Sequence, residues 1–141
     1  MAVYKFKLTF EEYEDIYRVI EIKSSQTFLE FHKAILDSIG FDQKQMASFY
    51  MSNDSWKKEQ EITLEDMSDY NDENAVPIPS MKDSRLSMFV NDPHQKIIYI
   101  YDFLEMWTMH LELTGIDINE KAGTKYPVCT KQGGLAPKQY D

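Results

Sequence analysis

Residues 97–113, IIYIYDFLEMWTMHLEL, constrain the fold more than any other part of the chain. Two apolar runs flank a short break carrying Asp102, Glu105 and Trp107. Successive side chains of a strand point to opposite faces, so this spacing puts Trp107, Met109, Leu111 and Leu113 on one face and Thr108, His110 and Glu112 on the other. That is the pattern of a half-buried antiparallel hairpin.

The rest of the chain supplies partners for it. Tyr4, Phe6, Leu8 and Phe10 alternate with Lys5, Lys7 and Thr9, which predicts a first strand with one wet face. An acidic turn over 11–15 leads to a second alternating run over 16–22, so the two make a hairpin. Thr27 and Glu30 have capping-box spacing, in which hydroxyl and carboxylate each satisfy a free backbone N–H. A helix follows, with Phe28, Phe31, Ile35, Leu36 and Ile39 on one stripe and Gly40 at its end. Residues 46–51 read as a short strand, and 83–90 as one or two helical turns. Residues 59–82 read as an acidic loop excursion, because seven acids and no base fall between Glu59 and Glu73. Thr63 could cap a turn there against Asp66, and the prolines at 77 and 79 require extended backbone before them. Residues 116–141 read as a loop-rich tail without a periodic stripe, pinned by Ile116, Ile118, Tyr126 and Val128 or else left loose.

At 141 residues the chain is one domain with one core. The expected architecture is α+β: a single-domain roll of mainly antiparallel strands curled around one principal helix, with one or two short helices. No apolar run approaches the roughly 18–20 residues that span a bilayer, so no membrane association is expected. The N-terminal pattern lacks a secretion signal, and a single cysteine, Cys129, suits a reducing compartment. The expected location is the cytoplasm.

Charge and composition narrow the function. A net charge of -9 opposes phosphate binding, and only Arg18 and Arg85 supply guanidinium groups. Nucleic acid is therefore a disfavoured partner for the isolated domain, unless lysines such as Lys5, Lys7, Lys33 and Lys44 form a stripe. No Gly-rich phosphate loop, nucleophile elbow or zinc spacing is present, so no catalytic residue, metal ligand or cofactor is assigned. Asp102 and Glu105 could form an acid–base pair, but an acid that interrupts an apolar strand more commonly caps a turn. A metal-dependent hydrolase would use His32, His110, Asp102 or Glu105, and it needs His and carboxylate groups that converge in one pocket. The candidate binding residues are Asp102, Glu105, Trp107, His110 and His32. The favoured function is binding of a protein or peptide by the aromatic hairpin or an open sheet edge, and that predicts an exposed apolar patch beside Trp107.

Tyr17-Arg18, then Phe31, His32, Ile35, Gly40, Phe41 and Phe49, then Tyr101-Asp102-Phe103 with Trp107, and Tyr126-Pro127 with Cys129 occur in an order that resembles the Ri-plasmid open-reading-frame-three-like family. The resemblance spans nearly all of residues 3–137, and its most specific part is the hairpin. Tyr17 stands where that family has Trp, Phe31 where it has Leu and Phe41 where it has Trp. Leu104 and Glu105 replace a Gly-Asp pair. Leucine does not readily take positive φ, so the hairpin end must be wider or differently shaped here. The resemblance implies an α+β roll and an association with plasmids and insertion elements, without an established activity. Its occasional resolvase-like label does not fit, because the chain has no N-terminal nucleophilic serine in an arginine cluster and no basic DNA-binding end.

Overall fold

The computed structural model describes residues 2–65 and 76–140. Its seven strands are β1 Val3–Phe10, β2 Tyr17–Lys23, β3 Ala47–Ser52, β4 Lys58–Thr63, β5 Lys96–Tyr101, β6 Trp107–Asp117 and β7 Val128–Gly133. They form one antiparallel sheet in the order β4-β3-β5-β6-β1-β2-β7. Helix α1 is Phe28–Ile39; a 3-10 turn, Met81–Asp83, precedes the short helix α2, Leu86–Phe89. The fold is thus α+β, mostly antiparallel sheet, with one helix of any length.

Local sequence explains α1 in full. Thr27 Oγ1 accepts from the Glu30 N–H at 3.2 Å while Glu30 Oε1 accepts from the Thr27 N–H at 3.2 Å, and Gly40 ends the helix at φ 71°. Its buried stripe is the expected one with His32 added. Phe31 stacks on Phe49 of β3 at 5.4 Å between centroids and meets Phe6 of β1 at 5.1 Å, so the helix rests on the inner face of the sheet. Val19, Glu21, Ile98 and His110 belong to the opposite, outer face by alternation.

Two sequence expectations need correction. The excursion beginning at 59 is a strand as far as Thr63: β4 pairs with β3, burying Ile62 and Thr63 while Glu59 and Gln60 stay exposed. Ser48 donates to Glu61 at 2.6 Å, and Lys58 lies over the Tyr50 ring at 4.9 Å, so charged residues make an edge strand without apolar alternation. The Thr63–Asp66 cap falls outside the described residues. The tail likewise contains the end of β6 and all of β7, whose polar residues are held by main-chain pairing to β2. Tyr126 is buried and pins the tail, whereas Ile118 is exposed. Arg18, also buried, ties these parts together: Nε donates to the Ser38 carbonyl of α1 at 2.9 Å, and one terminal nitrogen donates to the Gly133 and Gly134 carbonyls at 3.1 Å each.

Candidate docking site at the hairpin end

The β5–β6 connection is five residues long, between the paired Tyr101 and Trp107. Positive φ falls on Asp102 (62°) and Met106 (56°), and not on Leu104, which is how the loop does without a glycine. Aspartate is among the few residues that tolerate this region. Asp102 is 4% exposed. Its Oδ1 accepts from the N–H groups of Leu104 at 3.0 Å and Glu105 at 3.3 Å, its N–H donates to the Met46 carbonyl at 2.8 Å, and its carbonyl accepts from Met106 N–H at 2.6 Å. Asp102 is therefore a turn-building residue that positions Glu105, Met106 and Trp107.

What that turn displays is largely apolar. Leu104 is 93% exposed, and Phe103 and Met106 are each nearly half exposed. Trp107 packs edge-on against Phe10 at 6.3 Å and Phe41 at 5.1 Å, with its indole Nε1 buried and without a hydrogen-bond partner. Pairing of Phe10 with Met109 brings the acidic β1–β2 turn alongside. A cavity of about 170 Å³ lies between them, lined by Phe10, Glu11, Glu12, Tyr13, Glu105 and Trp107 among others. Tyr13, Glu105 and Trp107 also line a second cavity of about 460 Å³, whose far wall is the tail from Pro137 to Tyr140. The two make one groove divided by Tyr13 and Trp107.

Asp42 holds that far wall in place. Its Oδ2 accepts from the Tyr140 hydroxyl at 2.9 Å and its Oδ1 from Gln139 Nε2 at 3.1 Å, while its N–H donates to Gln139 Oε1 at 2.8 Å. Tyr101 donates to both the backbone carbonyl and the carboxylate of Asp42. Desolvation opposes ionisation of Asp42, but the hydrogen bonds from Lys44 N–H, Tyr140, Gln139 and Tyr101 outweigh it and hold its carboxyl below the ordinary value.

The plasmid pRiA4b ORF-3-like family model matches residues 2–139. The chain belongs to this family. A crystallised protein of unknown function from Methanosarcina mazei Go1 is similar to it, with 27% identity and a TM-score of 0.81 over 99% of this chain and 73% of that one. None of the curated proteins compared with the chain matches it significantly. Family membership covers the groove, since the hairpin, the acidic turn and the tail through Gln139 all fall within the matched span.

The two histidines lie elsewhere in this family member. His32 faces the core, where its Nδ1 and the Tyr99 hydroxyl are 2.6 Å apart; burial, with Lys33 adding to it, lowers its pKa to about 4. It is neutral at pH 7. His110 is on the outer face, stacked on Trp56 at 4.0 Å, with Nε2 3.6 Å from Glu11 Oε2. Burial lowers its pKa and Lys96 adds to that, against Glu11. His32 and His110 thus sit on opposite faces of the sheet, so the two do not converge on one site. Among the described residues no group of three or more His, Cys, Asp and Glu side chains is placed to hold a metal. Nor do the lysines share a face: Lys5 pairs with Asp117 at 3.5 Å and Lys7 lies over Tyr17, on the outer side, whereas Lys33 is on α1. Sequence reasoning missed Tyr13, Glu11, Glu12 and the tail wall. An aromatic inside an acidic turn was the available signal for Tyr13; the tail's approach to Asp42 had none.

Proposed function

We propose that this protein is a non-catalytic binding module that takes a protein or peptide segment into the groove beside Trp107. The observation that supports it most directly is exposed apolar surface: Tyr13 and Met106 line the groove, and Phe103 and Leu104 are exposed on the same β5–β6 turn as Met106. The sheet edges are weaker candidates. Lys58, Glu59 and Glu61 on β4 and Lys131 on β7 are charges of the kind that discourage strand addition. The same reading takes the sheet as a roll around α1: three strand spacings, about 14 Å, separate β1 from β3 in a flat sheet, yet Phe31 meets rings on both. The family's plasmid name supports placing the protein among those carried by mobile elements.

Selection of binders from a random peptide library, with Tyr13→Ser and Phe103→Ser as counter-targets, tests the reading. Both side chains are over two-fifths exposed, so the variants keep the wild-type melting temperature. Selected peptides lose about tenfold in affinity on each variant, the usual effect of truncating an aromatic anchor. Peptides that bind both variants as well as wild type, or a selection that yields none, would overturn it.

A further inference from the structure

We propose that the smaller cavity of this groove receives the ammonium group of a lysine side chain carried by the partner segment; the inference rests on the groove being a docking site and names what enters it. Phe10, almost fully buried, forms the floor, and its ring meets Tyr13 at 6.1 Å and Trp107 at 6.3 Å, both nearly perpendicular. Three aromatic rings thus gather in a cavity whose lining also includes Glu11, Glu12 and Glu105. A cation gains from both, since ring faces carry negative potential and carboxylates supply the counter-charge. Glu12 and Glu105 have no ion-pair partner among the described residues, and Glu11 meets only His110, whose pKa is lowered. No basic residue lines this cavity.

The size fits one side chain tip: about 170 Å³ admits an alkylammonium and no folded surface. Elsewhere the chain covers its own half-buried rings with its own lysines, Lys7 over Tyr17, Lys58 over Tyr50 and Lys96 over Trp56, all at about 5 Å. Among the described residues no such lysine covers Tyr13 or Trp107. A net charge of -9 steers a basic segment towards the molecule and an acidic one away.

The test uses the full 15N-labelled chain at fixed ionic strength with Nα-acetyl-lysine N-methylamide, its norleucine counterpart and n-butylammonium. The lysine amide should shift the Trp107 indole resonance and the amides of 11–13 and 105–107 saturably, and the norleucine amide should not. Glu12→Gln combined with Glu105→Gln should weaken the lysine amide by about fivefold. Equal shifts from the norleucine amide, or no shift from any probe while library-selected peptides still bind, would overturn the ammonium inference and leave the docking site standing. Binding of butylammonium without the lysine amide would make the cavity a site for free amines and overturn the partner segment as its source. Absence of both probe binding and selected peptides would remove the docking site itself.

Discussion

Asp102 shows how one residue can combine a strained backbone with a full set of hydrogen bonds. Alanine at φ 62° loses both the tolerance for that region and the acceptor for Leu104 and Glu105. Asp102→Ala should cost about 2–3 kcal/mol in urea-induced unfolding, and Asp102→Asn, which keeps the acceptor, within about 1 kcal/mol of wild type. Equal losses in both would show that charge matters more than the turn. His32 makes a pH prediction. The unfolded chain takes up its proton near pH 6.5 and the folded chain only near 4, so folding stability falls as pH drops through that window. The contribution is about 3 kcal/mol, and the slope should be absent from His32→Gln, which still accepts from Tyr99. The turn role of Asp102 was legible in the sequence because an acid in an apolar strand has few other uses. The placement of His32 against Tyr99 was not, since it depends on which strand lies under α1.

Elements whose signals are local were the legible ones. The capping box, Gly40 and the period-two runs of β1, β2 and β6 are each readable within a few residues, and each is where the pattern puts it. β4 and β7 are edge strands rich in polar residues, held chiefly by main-chain bonds to a neighbour, and β4 buries only its last two residues, so no periodicity marked them. The buried Arg18 makes β7 depend on β2 and α1. Arg18→Met removes the side-chain donor to four carbonyls, those of Tyr17, Ser38, Gly133 and Gly134, and should cost about 2–4 kcal/mol, with amide exchange accelerated more over Val128–Gly133 than over β5. Uniform acceleration would show that Arg18 acts on the whole core. The Asp42 latch is weaker and more local: Asp42→Ala should free the Gln139 and Tyr140 side chains, read as shifts of the Gln139 side-chain amide and the backbone amides of 138–140, with little change in melting temperature. In wild type the same bonds should be lost only as pH falls through the lowered Asp42 value.

At the scale of the molecule, the sheet presents an inner face filled by α1, an outer face with buried Ile98 and a Trp56–His110 stack, and a strand end where β1, β6, the acidic turn and the tail meet. Among the described residues only the last combines exposed aromatic side chains, unpaired carboxylates and a cavity. Glu105 and Trp107 were readable from the hairpin as candidates; the acidic turn beside them arrives by pairing across nearly a hundred residues of sequence. Titrating a library-selected peptide into the 15N-labelled protein tests the site directly, because the chain has two indole resonances at two separate places. A docking groove at the hairpin end predicts movement of the Trp107 indole and of amides 11–13, 103–107 and 138–140, with the Trp56 indole unmoved. Movement confined to Trp56, or to the amides of β4 or β7, would place binding on the outer face or a sheet edge and contradict the account.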